Sequence, residues 1–362
     1  MTPTPFAWRG TRNKVLVGIA ATAIVIVVSL GFVSLFSFPT FTGWVSYFLM
    51  CLIPMEIVAS VTWGAQHPRF AGEQKQPAKG VLLILVCLAA GVVVAAVQFG
   101  AMGGRVSPPA PMLIQCTILS VIVTFWLAIM WGGWPFRKII KNPTQAGVAL
   151  LVACYVLNDL LFRIFFDYGF MKGAPVYVAA LDPHGLFNAW NALVFCLAAL
   201  TVMFISLNFD LWPFTKSAAL MRQPVLGIVW TAAALALGGL GFYISVVWLN
   251  MDVVTFMVRV PVPFIFGTII VLNMLQGSLF GALKQPAKGV LNTLASAVIG
   301  SVLALGYGVV APVVTGRLKP GPPSYDFEIW LASSLLAVTF PFLIFHAEFF
   351  KFWPLQRTDH EP

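Results

Sequence analysis

The chain has 362 residues, of which 60% are hydrophobic and 9% are charged, and its mean hydropathy is +0.92. Soluble globular domains carry about 25% charged residues, so this composition excludes that class. The formal net charge is +9, yet 15 of the 21 Lys and Arg fall in segments that alternate with the apolar runs on one side. This asymmetry is the positive-inside pattern of membrane proteins, and it explains the basicity without a nucleic-acid partner.

Ten apolar runs follow in chain order, and each is long enough to cross ~30 Å of hydrocarbon. We therefore predict an all-α, polytopic integral membrane protein with about ten transmembrane helices, one membrane domain (1–362) and both termini cytoplasmic. The first run, 15–38, is too long for a signal-peptide core and is interpreted as an uncleaved span. A plasma membrane, the inner membrane of a bacterium, is the predicted location.

Internal similarity predicts that the spans are paired. The segment 75–82, Lys-Gln-Pro-Ala-Lys-Gly-Val-Leu, returns unchanged at 284–291, and looser copies begin at Asn142-Pro143 and Gln223-Pro224. Each copy precedes an apolar run, where proline suits the first helical turn and glycine permits close helix approach. Before the proline, Asn142 is a good helix cap, and Gln76, Gln223 and Gln285 are weaker caps. A topological and packing role is favoured over binding of anionic lipid or a soluble partner by the connector lysines. The predicted two-helix hairpins are 15–63, 80–136, 147–214, 227–282 and 289–355.

The fifth span carries the densest set of polar groups. Tyr155, Asp159, Arg163 and Asp167 recur at steps of four residues, with Asn158 beside them. This spacing places the four on one helical face, which we expect to point into the bundle or a water-filled cavity. Asp159 and Arg163 form an internal ion pair in one interpretation; in the other, a carboxylate binds a cation, a proton or a polar substrate. Snorkelling of Arg163 to the outer surface is the third.

Glu56 is the second candidate, because it lies inside a span two residues after Pro54. It either exchanges a proton near neutrality or pairs with a basic residue such as Arg163 or Arg259. Two prolines follow Arg259, so a break is predicted at the start of the eighth helix. Asn273 and Gln276 lie nearer the inner end of the same helix, and the pair His346 and Glu348 in the tenth span is interpreted as a solvated anchor rather than a proton relay.

Cofactor sites are not predicted. The five cysteines fall one per span in the second to sixth spans, without paired spacing, and only one of the four histidines lies in a span. Haem and intramembrane metal therefore lack ligands, and a phosphate-binding glycine loop or a serine-nucleophile elbow is missing from the sequence. An outer metal site is disfavoured; its ligands would be Asp182, His184, Asp326 and Glu328.

Three functions remain open. The first is a permease for a small molecule or ion, proton-coupled through Glu56 and Asp159, with Arg163 and Arg259 orienting an anionic group. The second is a non-catalytic membrane subunit that anchors another protein or assembles with copies of itself. The third is a membrane enzyme acting on a lipid or quinone, with Asp159, Asp167 or His184 as acid–base groups.

Overall fold

Ten long apolar helices carry the fold in the computed structural model, which describes residues 5–64 and 67–356, with side chains from residue 13 onward. This confirms the prediction of an all-α, multi-pass integral membrane protein. The two termini, which are predicted to be cytoplasmic, fall before residue 13 and after residue 356 and so lie outside the described side chains. The helices are α1 (Pro5–Val33), α2 (Phe38–Thr62), α3 (Ala78–Ala101), α4 (Pro111–Met130), α5 (Pro143–Phe165), α6 (Ala189–Asn208), α7 (Val225–Trp248), α8 (Val253–Met274), α9 (Ala287–Val314) and α10 (Asp326–Phe349).

Two helix boundaries follow the local chemistry that the sequence predicts. The Asn142 side chain caps α5 by accepting hydrogen bonds from the backbone N–H groups of Thr144 and Gln145. Such a cap satisfies amide groups that have no partner within the helix. Helix α8 breaks at Val260, between the segments Val253–Arg259 and Pro261–Ile269, as the prolines predict.

Even-numbered helices are inner and odd-numbered helices are outer. In the most apolar window of each helix, 50–78% of the residues are buried in α2, α4, α6, α8 and α10, against 22–28% in the odd-numbered helices. Lipid covers an apolar outer face as well as protein does, so exposed Val and Leu along the odd-numbered helices are expected. The core of the molecule is therefore a bundle of five helices.

The five inner helices contact one another in the closed order α2, α4, α6, α8, α10 and back to α2. Each outer helix packs in the groove between two of them. Helix α3 lies on α2 and α10, α5 on α4 and α2, α7 on α6 and α4, α9 on α8 and α6, and α1 on α10 and α8. We call the closed arrangement of the five inner helices the inner ring.

The ends of the inner helices meet the starts of the outer helices on one side of the molecule, here called the connector side. A Cβ atom added at Gly80, at the start of α3, would lie 2.6 Å from the ring of Phe350, which follows α10. Only glycine fits beneath such a ring. The same contact joins Gly147 to Trp63, Gly227 to Trp131, and Gly289 to Phe209.

The two-stranded pair β1 (Phe166–Asp167) and β2 (Phe187–Asn188) lies at the opposite side of the molecule, which we call the outer side. Its strands are parallel and hold the two ends of the segment that joins α5 to α6. Among the described residues, this pair is the extent of the β structure.

Candidate functional site

The axis of the inner ring is closed at mid-height by apolar side chains. A cavity of about 30 Å³, the size of one water molecule, lies there and receives residues from all five inner helices. Its described lining residues carry aliphatic, thioether and aromatic side chains, so none of them offers a polar solute a strong hydrogen-bond partner. We call this narrow part of the axis the constriction. Its lining residues include Ile53, Val121, Phe125, Leu200, Phe266 and Phe340.

A larger cavity of about 230 Å³ lies on the same axis toward the connector side. All five inner helices line it. Phe125 and Phe340 line both cavities and form the boundary between them, and Phe204 packs against Phe125 on the chamber side. Unlike the constriction it is partly polar. The polar side chains among its described lining residues are Ser60, Thr268, Asn273 and Glu348. We call this space the axial chamber.

Wide helical turns build the chamber wall. Four inner helices end on the connector side in a π-helical turn, in which the backbone bonds to the fifth residue rather than the fourth. Such turns are rare and recur at functional sites. Each one contributes to the chamber lining, through Ser60 in α2, Ile129 in α4, Asn273 in α8 and Glu348 in α10.

The lining follows a constant register along the chain. In α2, α4 and α6, the residue two positions before the ring that covers a glycine lines the chamber; these residues are Val61, Ile129 and Leu207. The corresponding residues of α8 and α10 are Asn273 and Glu348, which also line it. One level of the wall therefore holds three aliphatic side chains, one amide and one carboxylate.

Glu348 is held from two directions. The Asn273 amide donates to Glu348 Oε1 over 3.2 Å, and the Lys351 ammonium donates to Glu348 Oε2 over 2.9 Å. The Glu348 side chain is 29% exposed and that of Lys351 is 48% exposed, so the chamber reaches solvent at this point. The carboxylate thus lies at the connector-side mouth of the chamber.

The fifth-helix face differs from the prediction. Asn158 is buried and donates to Cys116 Sγ, and the Tyr155 hydroxyl donates to the backbone oxygen of Cys51. Arg163 and Asp159 instead lie on the exposed face of the outer helix α5, away from the bundle. They form an ion pair of 3.0 Å, with side chains 63% and 40% exposed. The expectation that all four side chains point into the bundle is therefore wrong, because α5 is an outer helix whose buried stripe runs through Cys154 and Asn158. Asp167 lies beyond the helix, in β1.

Glu56 is fully buried, and neither of its carboxylate oxygens has a hydrogen-bond partner among the described residues. The predicted alternative of a pair with Arg163 or Arg259 is not realised, since Arg163 bonds to Asp159 and Arg259 is exposed at the break in α8. Glu56 is followed directly by Ile57, which lines the chamber, but Glu56 itself is not part of the lining.

A second polar cluster lies on the outer side. His184 Nδ1 is 3.3 Å from Asp182 Oδ2 and 3.8 Å from Asp167 Oδ1. The Asp182 side chain is buried; burial alone would raise its pKa, but the backbone N–H groups of His184 and Tyr168 and the Tyr177 hydroxyl donate to it and bring its pKa below the usual value. Sequence reasoning grouped Asp182 and His184 with Asp326 and Glu328; the structure brings Asp167 to them instead.

Sequence reasoning interpreted Glu348 as part of a solvated anchor, placed Asn273 near the inner end of its helix, and overlooked their common site. The signal that identifies them is their equal distance from the end of each inner helix, which becomes visible once the hairpins are aligned on the glycine contacts. The chain matches no family model, no curated protein and no solved structure.

Proposed function

We propose that this multi-pass membrane protein is a permease that moves a small solute along the axis of the inner ring. The observation that carries the proposal is the axial chamber, which is lined by all five inner helices and separated from the outer side by an apolar constriction. A solute site near mid-membrane, closed on one side by apolar side chains, is the arrangement expected of a gated path. Rearrangement of the inner helices would open the constriction.

The orientation and the internal repeat belong to the same proposal. The excess of Lys and Arg on the connector side favours a cytoplasmic position for that side and for both termini, in a plasma membrane. The four glycine–ring contacts, together with the packing of Gly18 in α1 against Leu275 after α8, support five copies of one hairpin, because unrelated helices would not be expected to meet through the same pair of positions. The chamber would then face the cytoplasm.

Coupling of solute movement to protons is a separate part of the proposal. Glu56 is the favoured group, because it is buried next to a chamber-lining residue and lacks a partner among the described side chains. A role for Asp159, Arg163, Asp167 or Arg259 in solute or ion binding stays a prediction, as do the subunit and enzyme alternatives; the axial path uses none of these four residues. Transport that keeps its pH profile in Glu56→Gln would remove Glu56 from the proposal.

Stopped-flow light scattering of proteoliposomes tests the path itself. The vesicles receive osmotic gradients of choline chloride, potassium chloride, glycine, urea and glycerol, and re-swelling reports entry of the solute. Ile53→Trp and Val121→Trp fill the constriction and should reduce the rate to that of protein-free vesicles. Val152→Trp is the matched control, because Val152 is 59% exposed on the outer helix α5. Constriction variants that admit solute like the parent, or a parent that admits none of the panel, would contradict the axial path.

A further inference from the structure

We propose that the solute is a small organic cation of the alkylammonium class, which binds in the axial chamber between Glu348 and a cluster of three phenylalanines. The inference rests on the proposed function, since it names the solute of the same path. Three features of the chamber carry it: the sign of its charge, its aromatic wall and its size.

The chain has a net positive charge, but the charged side chain that lines the axis is negative. The sequence has 21 Lys and Arg against 12 Asp and Glu, yet Glu348 is the single ionisable residue among the described side chains that line the two axial cavities. A carboxylate at the mouth of a low-dielectric cleft attracts cations and repels anions. The chamber is therefore suited to a positively charged solute.

Three phenylalanines line the chamber: Phe125 from α4, Phe204 from α6 and Phe340 from α10. Phe125 and Phe340 also line the apolar cavity, so this cluster lies at the constricted end of the chamber, whereas Glu348 lies at its mouth. Phe125 packs edge to face against Phe204 at 5.5 Å between ring centroids and against Phe340 at 5.8 Å. Aromatic faces attract cations, and clusters of them recognise quaternary ammonium groups. A cation that carries methyl groups satisfies both the aromatic wall and the apolar residues around it, which a hydrated metal ion does not.

The chamber volume of about 230 Å³ corresponds to roughly eight water molecules. That volume admits choline or tetramethylammonium. The hydroxyls of Ser60 and Thr268 each donate to a backbone carbonyl in their own helix, which leaves the Glu348 carboxylate as the strong polar group for a ligand.

Lys351 is the internal competitor for that carboxylate. Its ammonium is bound to Glu348 Oε2, but both side chains are partly exposed, and solvent-exposed ion pairs of this type contribute little to stability. A cation in the chamber can therefore displace Lys351 toward solvent. Removing the lysine charge should strengthen binding of the solute cation.

Equilibrium dialysis of radiolabelled choline against the full chain in detergent tests the proposal. We expect saturable binding that tetramethylammonium displaces and that 3,3-dimethyl-1-butanol, the uncharged carbon analogue of choline, does not. Glu348→Gln should weaken binding about 10-fold or more, equivalent to about 1.4 kcal/mol. Phe204→Leu should weaken it about 2- to 30-fold, the range of cation–π contributions. Lys351→Gln should strengthen it, and Glu73→Gln, an exposed connector position, should leave it unchanged.

Several results would overturn the inference: no saturable choline binding by the folded parent, equal competition by the uncharged analogue, or parental affinity in Glu348→Gln. Glu348→Asp keeps the charge and should retain more affinity than Glu348→Gln, which separates loss of charge from loss of folding. If choline binds but the parent protein admits none of the solutes in the panel, the cation site is supported and the proposed permease function is contradicted. If glycerol or chloride enters along a path that Ile53→Trp blocks and choline does not bind, the permease function is supported and the cation site is contradicted.

Discussion

Glu56 occupies a place that a carboxylate tolerates poorly. It is fully buried, neither oxygen has a partner in the described part of the chain, and an unpaired charge there would cost several kcal/mol. We predict that Glu56→Met stabilises the protein by about 1–3 kcal/mol, because an apolar side chain of similar volume removes the unsatisfied group. Reversible unfolding in mixed micelles measures the change. Glu73→Met, at an exposed position, serves as the control; a loss of stability in Glu56→Met would reveal a partner that Glu56 requires.

Asp182 predicts an acid-sensitive segment on the outer side. Its pKa is lowered by the hydrogen bonds it accepts, so its contribution to stability is complete above the ordinary aspartate pKa of about 3.9 and is lost as the pH falls through the lower folded value. We expect the protection of the Tyr168 and His184 amide protons, measured relative to the intrinsic exchange rate at each pH, to decrease as the pH drops below about 4. Asp182→Asn should show the reduced protection already at neutral pH, while Asp326→Asn should not. Hydrogen exchange followed by mass spectrometry measures both; unchanged exchange in Asp182→Asn would contradict the role of this carboxylate.

The register of polar residues in α5 was predictable, but the direction of that face was not. Steps of four residues place Asp159 and Arg163 together, and they do form an ion pair. Which side of a membrane helix points inward depends on its packing, because lipid and protein interior are equally apolar and hydropathy does not distinguish them. The small residues Gly147 and Cys154 mark the buried stripe of α5, and Asn158 follows it.

At the level of elements, the three connector glutamines Gln76, Gln223 and Gln285 link hairpins that are distant in sequence. The Gln223 side chain donates to the Met130 backbone oxygen at the end of α4 over 2.9 Å and accepts from the Gly227 backbone N–H at the start of α7 over 3.1 Å. Gln76 bridges Phe349 and Gly80 in the same way, and Gln285 bridges Asn208 and Gly289. The sequence predicted these residues as weak caps; their second bond, to another helix, required the fold.

This bridge supports a stability prediction. Gln223→Ala removes one hydrogen bond to each of two helix ends and should cost about 1–3 kcal/mol, because each net bond contributes ~0.5–1.5 kcal/mol. Gln74→Ala, whose side chain is exposed in the first connector, is the matched control and should change stability little. The midpoint of denaturant unfolding measures the difference. Equal stability of the two variants would show that the bridge contributes nothing.

The positions of the ten spans, the cap at Asn142 and the break after Arg259 could be read from the sequence, because length, hydropathy and proline act locally. The π-helical turns that form the chamber wall could not. A π turn is widened by packing and by the residues that follow the helix, and it has no local signature of its own. The candidate site was missed for this reason, although Asn273 and Glu348 were visible as polar residues near helix ends.

For the whole molecule, the order of helices in the inner ring is set by contacts between segments far apart in the chain. Internal similarity predicts equivalent hairpins, but it does not state which hairpin touches which. Each outer helix packs on two inner helices that precede it in the ring, and α1 and α3 close the circle against the last hairpins. Because five helices contribute a residue at the same level of one axis, the chamber wall there consists of three aliphatic side chains, one amide and one carboxylate.

Disulfide formation tests this closed order. Gly80 lies under Phe350, and Gly227 lies under Trp131, with ring atoms 2.6 Å and 2.7 Å from a Cβ placed at each glycine. In a chain whose five buried or half-buried cysteines are replaced by Ala, the pairs Gly80→Cys with Phe350→Cys and Gly227→Cys with Trp131→Cys should form disulfides under mild oxidation. The reason is that each aromatic side chain directly contacts the Cβ position of its glycine, and a disulfide requires two Cβ atoms ~3.5–4.5 Å apart. The exchanged pairs, Gly80→Cys with Trp131→Cys and Gly227→Cys with Phe350→Cys, use the same four positions on the same side and should remain reduced. Gel mobility and mass spectrometry of tryptic peptides distinguish them, and equal cross-linking of matched and exchanged pairs would mean that the ring has another order.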